Sequence, residues 1–249
     1  MAVERSREQR LRDLQDCGYI GAVEGLAKSV CAPVFFRTLA GKVRQGSMTL
    51  LNSGQGFLGV TAGHVADAIA AEAGNLESCQ VGGAVLDPTT LVARSLALDL
   101  ASYRAEAEVV RASGHLAFPI RSWPLQAASD RDMVMFCGYP GYDRRESSGR
   151  YDVPFLWFAG LVQASPDSKL GFALNIKTSL CAGNDRIPDN ADLGGCSGGP
   201  VFRLTEEAVG NGLRATFELV GVVSEYASAY ELLIAHPVTD LNPDGGLAT

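Results

Sequence analysis

From residue 30 onward the apolar residues of this chain come in short runs, each cut off by Gly, Asn, Asp or Pro. Short runs of β-branched and aromatic residues closed by turn formers read as strands rather than helices. A first set lies at 30–36, 48–52, 57–61, 84–86 and 99–103. A second lies at 133–138, 154–162, 172–178, 199–204, 216–223 and 231–236. Between them, residues 118–128 carry Pro119 and Pro124 with little alternation, the texture of a connector. The 28 glycines and 11 prolines are scattered, which suits many tight turns, and no fixed-period repeat points to a solenoid or propeller. The pattern predicts an all-β chain of two antiparallel barrels or sandwiches.

Helical spacing occurs mainly at the N-terminus. Leu11, Leu14, Ile20, Val23 and Leu26 recur at roughly helical period, which predicts a helix within 4–30 that ends before Ser29. An Ala-rich stretch at 65–73 predicts a second, short helix. The expected organisation is a helical extension at 1–29, a first β-unit at 30–117, a linker at 118–128, a second β-unit at 129–241 and a tail at 242–249.

Composition excludes several classes of function. A net charge of −7 and a pI near 5.0 argue against nucleic acid or an anionic membrane as partner, because both are polyanions. Mean hydropathy is +0.08, and no apolar run approaches the roughly 18 residues needed to span a bilayer. The first thirteen residues are charged throughout and lack the apolar core of a secretory signal, so a cytoplasmic location is expected. In that setting Cys17, Cys31, Cys79, Cys137, Cys181 and Cys196 are expected as reduced, mostly buried thiols. None forms a C-x-x-C pair or stands at zinc-ligand spacing from a histidine, so no metal site is expected.

The sharpest local signal is Gly194-Gly195-Cys196-Ser197-Gly198-Gly199-Pro200. A nucleophilic serine needs an exposed hydroxyl with backbone N–H groups beside it to hold an oxyanion, and flanking glycines permit that backbone. Gly, Ser and Pro are equally the commonest residues of a surface turn. Thr61-Ala62-Gly63-His64 closes a strand and sets an imidazole at its end, where a lone histidine is more often structural. Leu98-Asp99-Leu100-Ala101 places one carboxylate in an apolar strand run, where it either finds a partner or faces water. Together they supply a general base, an orienting carboxylate and a glycine-framed serine in the order His64, Asp99, Ser197.

On these residues the chain resembles the trypsin/chymotrypsin-like serine proteases, bacterial and non-zymogen in type. Gly138-Tyr-Pro-Gly141, Val220-Gly-Val-Val-Ser224 and Ile234-Ala-His-Pro-Val238 resemble a turn and two strands of the same family. The resemblance spans about residues 30–241 and implies two antiparallel six-stranded β-barrels and a serine endopeptidase acting on polypeptides without a cofactor. It implies Ser197 as nucleophile, His64 as general base and then acid, and Asp99 as the group fixing the imidazole tautomer. The N–H groups of Gly195 and Ser197 would form the oxyanion hole. Two departures stand out. Cys196 occupies the position of the aspartate that secreted trypsins use in zymogen activation. Ala191 replaces the residue that sets basic specificity, leaving Asp192, Ser224, Glu225 and Tyr226 on the implied pocket. Asp192 and Glu225 favour a basic side chain by charge, whereas His236 would recognise an acidic one or serve as a core histidine. His115 and Arg144-Arg145-Glu146 read as surface residues.

Two other readings use the same residues. Gly195-x-Ser197-x-Gly199 also fits the nucleophile elbow of an α/β-hydrolase esterase, with His236 and an upstream carboxylate such as Glu231. Gly198-Gly199-Pro200 is a poor start for the helix that fold requires, and βαβ units are missing from the pattern. A latent or inactive protease-like binding module is the alternative from a different class.

Overall fold

A computed structural model describes residues 18–72, 79–142, 144–147, 150–164, 169–173, 180–181, 193–209, 212–227 and 232–248. The first described element is helix α1 (Tyr19–Val30), in which Tyr19, Val23, Ala27 and Val30 are buried at helical spacing, forming one apolar stripe. The helix runs past Ser29, whose hydroxyl donates to Leu26 O at 2.7 Å. It passes directly into a strand at Cys31, so it ends later than its sequence suggests. Residues 4–17 of the expected helix lie outside the described residues.

The first sheet begins with β1 (Cys31–Arg37), β2 (Val43–Asn52) and β3 (Phe57–Ala62), followed by helix α2 (Gly63–Glu72). It continues through β4 (Cys79–Val81), β5 (Ala84–Val85), β6 (Leu91–Ser95) and β7 (Leu100–Ala105) to helix α3 (Ala107–Ala112) and β8 (Phe118–Pro119). The spatial order is β5-β4-β1-β2-β3-β7-β6, all antiparallel, with β8 alone pairing in parallel against Leu51 and Asn52 of β2. The expected linker is therefore part of the packed structure at its start, and Phe118, Leu125 and Ala128 are buried.

The second half contains β9 (Met133–Gly138), a hairpin of β10 (Arg145–Ser147) and β11 (Arg150–Asp152), then β12 (Leu156–Leu161) and β13 (Gln163–Ala164). It ends with β14 (Leu170–Ala173), β15 (Leu180–Cys181), β16 (Pro200–Val209), β17 (Gly212–Ala227) and β18 (Leu232–Pro237). Apart from the hairpin these form one antiparallel sheet, ordered β13-β14-β18-β17-β16-β9-β12-β15. Each half is thus a curled antiparallel sheet with few helices, the double-barrel architecture that the sequence resemblance implies. Several strands of only two or three residues raise the count in each sheet to eight.

Three apolar clusters hold this arrangement. One lies within the first sheet around Phe36, Met48, Leu50, Ile69 and Tyr103, and one within the second around Phe136, Phe158, Phe172 and Leu233. The third joins the halves, with Leu51, Leu58, Val60 and Leu100 against Met135, Trp157, Phe202 and Val222 under helix α1. Burying each such side chain is worth about 1.5–3 kcal/mol, so the halves are bound by a shared core and not only by their linker. Among the described residues Cys31, Cys79, Cys137 and Cys196 are buried and form no disulfide, and no helix is long and apolar enough to cross a membrane.

Candidate active site

His64 is the second residue of α2, immediately after β3 ends. Strands β3 and β7 pair antiparallel with Ala62 opposite Leu100, so the residues just beyond their ends face one another. Asp99 occupies that facing position. Its sequence setting suggested a strand interior, but it is the last residue of the turn before β7, with φ +43°. Aspartate is one of the few non-glycine residues that tolerates this left-handed region, and the bend turns its carboxylate back onto α2. Asp99 O accepts from Gly63 N–H at 2.8 Å. The carboxylate takes His64 N–H on Oδ1 at 2.8 Å and His64 Nδ1 on Oδ2 at 2.9 Å. Backbone and ring of one histidine are thus fixed by a single side chain.

A third donor comes from the other half. Strands β17 and β18 shift register between Val223 and Glu225, leaving Ser224 as the extra residue of a bulge. Bulges re-aim side chains, and here the Ser224 hydroxyl donates to Asp99 Oδ2. The Ser224 carbonyl accepts from Ser197 Oγ at 2.8 Å. His64, Asp99, Ser224 and Ser197 therefore form one connected chain of hydrogen bonds. Among the described residues, Ser197 makes no hydrogen bond to His64 Nε2.

Charge follows from these contacts. The hydrogen bond to Asp99 raises the His64 pKa above its ordinary value, against an opposing effect of burial, and the carboxylates of Asp99, Glu225 and Asp67 add to the rise. Burial pushes the Asp99 carboxyl upward, but the hydrogen bonds from His64 and Ser224 outweigh it and hold the group below the usual carboxylate range. A carboxylate kept ionised beside an imidazole on Nδ1 keeps the other ring nitrogen available as a base.

The Ser197 loop is shaped by backbone accounting. Across a trans peptide the N–H points opposite to the preceding carbonyl. Gly194 O is tied to Gly141 N–H at 2.6 Å and Cys196 O to Gly199 N–H at 2.9 Å. The Gly195 and Ser197 N–H groups consequently point the other way, and neither has an acceptor among the described residues. Gly195 adopts φ +99° and Gly198 φ +96° to make this loop. A Cβ on Gly198 would stand 1.8 Å from Ser47 O, and one on Gly199 1.8 Å from Cys137 O, so no side chain fits at either position.

The remaining expected site residues are distributed as follows. Glu225 is exposed and Tyr226 half-buried beside Ser224, whereas Ala191 and Asp192 lie outside the described residues. His236 is 5 % exposed on β18, opposite Val222, and burial lowers its pKa, which favours the neutral ring. His115 is not a free surface residue. It is half-buried with Nδ1 3.2 Å from Lys28 O, and burial lowers its pKa. Arg145 and Glu146 are exposed at the start of the β10–β11 hairpin, and Glu146 reaches Arg37 at 3.7 Å. Gln45, Ser47 and Thr49 of β2 were not singled out by sequence, yet all three contact the Ser197 loop or the turn beside it. Their signal is polar alternation along one strand face, a pattern that ordinarily marks a solvent-exposed face. No group of three His, Cys, Asp or Glu side chains able to hold a metal gathers among the described residues.

No protein-family model matches the chain, and no curated protein matches it. Among solved structures it is similar to a thermostable serine protease, AL20, from an extremophilic microorganism, at 18% identity over 88% of this chain and 93% of that one, with a TM-score of 0.47. A serine endoprotease from Yersinia pestis matches at 18% identity over 86% of this chain and 62% of that one, with a TM-score of 0.49. The protease Anisep from Arthrobacter nicotinovorans matches at 17% identity over 88% and 91%, with a TM-score of 0.46.

Proposed function

We propose that this chain is a serine endopeptidase using Ser197, His64 and Asp99, with the N–H groups of Gly195 and Ser197 as oxyanion donors. The observation that carries the reading is the double hold of Asp99 on His64, with the Ser197 loop joined to the same carboxylate through Ser224. On substrate binding Ser197 Oγ rotates from the Ser224 carbonyl to His64 Nε2, since catalytic hydrogen bonds often tighten only in the complex. Ser197 Oγ attacks the scissile carbonyl carbon and Nε2 takes its proton. The carbonyl oxygen becomes an oxyanion facing the two N–H donors, each worth on the order of 3 kcal/mol in the transition state. The Nε2 proton passes to the leaving amine as the C–N bond breaks. Water, deprotonated by the same nitrogen, then releases the acyl group and restores Ser197.

Charge supports a basic residue near the cut. Glu225 is exposed beside the site, whereas His236 is buried and held toward its neutral form, which cannot attract a carboxylate. Incubation with a random-peptide library followed by mass spectrometry tests both levels. The reading requires cleavage by the wild type that is lost in Ser197→Ala and His64→Ala, with basic residues enriched before the cut. Cleavage that survives either substitution would refute it.

One observation favours a second reading, a latent enzyme: the Ser197 hydroxyl rests on the Ser224 carbonyl rather than on His64. Absence of cleavage by the wild type, restored by a partner protein, would select that form.

A further inference from the structure

The N–H groups of Gly195 and Ser197 can receive an oxyanion only while the Gly194 and Cys196 carbonyls are held away. The Cys196 carbonyl is tied within its own loop by Gly199. The Gly194 carbonyl is different, because its donor, Gly141 N–H, belongs to the turn that follows β9. A turn of this kind holds the loop only if something holds the turn.

That support comes from one face of β2, in the opposite half of the molecule. Gln45, Ser47 and Thr49 alternate along the strand and therefore point to the same side. The Gln45 amide donates from Nε2 to Tyr139 O at 2.7 Å and to Pro140 O at 3.1 Å. The Ser47 hydroxyl accepts from Tyr139 N–H at 2.9 Å and donates to Gly195 O at 2.7 Å, joining turn and loop through one atom. Ser47 N–H donates to Ser197 O at 2.8 Å, and Thr49 Oγ1 donates to Gly198 O at 2.9 Å. Thr61 Oγ1 in turn donates to Ser47 O at 2.7 Å, fixing the strand itself. Ser47 and Thr49 are both fully buried, so each unmade hydrogen bond would leave a desolvated polar group.

We infer that Ser47, assisted by Gln45, is the positioning residue of the oxyanion pocket. Its hydroxyl locks the Gly195 carbonyl and the Tyr139 turn together, so that the Gly195 N–H is aimed at the oxyanion before substrate arrives. The inference rests on the reading of Ser197 as nucleophile. It goes further by assigning the preorganisation of the second half to a strand of the first. A pocket fixed in advance lowers the barrier of the chemical step without tightening substrate binding. The cost of losing Ser47 therefore falls on kcat, not on KM.

The test compares wild type, Ser47→Ala and Gln45→Leu on a peptide substrate taken from the cleavage library, together with inhibition by the matching peptide aldehyde. The aldehyde adduct carries an oxyanion, whereas the ground-state substrate does not. For Ser47→Ala, kcat should fall about ten- to hundredfold with KM within twofold, and aldehyde affinity should fall by the same factor as kcat. A Ser47→Ala protein that folds with kcat within twofold of wild type, or that loses KM and kcat equally, overturns the inference while leaving Ser197 as nucleophile. If Ser47→Ala fails to fold, Gln45→Leu, at a half-buried position, decides. A severalfold fall in kcat at constant KM supports the cradle, and an unchanged kcat overturns it. Failure of the underlying reading has a separate signature, a wild type that neither cleaves peptide nor binds the aldehyde.

Discussion

Replacing Asp99 by asparagine changes one atom of the site and leaves the backbone free to keep its shape. Asparagine, like aspartate, tolerates the φ of +43° found here. The amide oxygen can still accept the His64 N–H that Oδ1 accepts now, so the amide nitrogen takes the place of Oδ2. That nitrogen donates and cannot accept, yet it faces two groups that now donate to Oδ2, His64 Nδ1 and the Ser224 hydroxyl. The imidazole answers by moving its proton to Nε2, the nitrogen that must be free to act as base. The missing charge adds to this. Unit charges about 4 Å apart at an effective dielectric near 20 interact by ~4 kcal/mol. The His64 side chain is 54 % exposed, so screening trims this to ~2–3 kcal/mol, or about a hundredfold in rate. With the wrong tautomer included, kcat/KM for a library-derived peptide should fall on the order of 10³–10⁴-fold. The residual activity should carry its acid limb at lower pH, because the hydrogen bond that raises the His64 pKa is gone. An Asp99→Asn enzyme within tenfold of wild type, or with an unmoved acid limb, would refute the assignment of Asp99.

The same pKa shifts set the pH behaviour of the unmodified protein. His64 must be neutral to act as base, so kcat/KM should fall on acidification through a value above the ordinary imidazole pKa of about 6.5, and an acid limb below that contradicts the account. Stability follows with opposite signs. The Asp99 contribution is present above its unfolded pKa of about 3.9 and is lost as pH falls through its depressed folded value. The His64 contribution is present below about 6.5 and is lost as pH rises through its raised folded value, a pattern that urea titrations across pH would read. Gly199→Ala places a Cβ 1.8 Å from the Cys137 carbonyl oxygen and should destabilise the fold by at least ~3 kcal/mol or abolish soluble expression. An unchanged thermal midpoint would show that the loop is not packed as described.

Local pattern located most strands because β-branched runs end at turn formers whatever the tertiary setting. Strand β9 falls at residues 133–138, as read from Met133-Val-Met-Phe-Cys-Gly138. The misreadings have identifiable causes. Asp99 looked strand-borne because Leu98 and Leu100 flank it, and nothing local announces a left-handed turn residue. Strand β2 begins at Val43, earlier than the expected 48, because Arg44-Gln-Gly-Ser47 has the composition of a turn. Its polar face is buried by a loop about 150 residues away, and no local signal carries such a contact. His64, Asp99, Ser197 and Ser224 were legible as candidates because each stands in a short motif. The bulge that turns Ser224 toward Asp99, and the strand face that supports the Ser197 loop, exist only once the two sheets pack.

Covalent labelling tests the central claim most directly. Above the His64 pKa, a fluorophosphonate probe should add once to the wild-type chain, and peptide mapping should place the adduct on Ser197. The adduct should disappear in Ser197→Ala and in His64→Ala, because the nucleophile and its base are both required. An adduct mapped to another residue, or one that persists in either variant, would contradict the account.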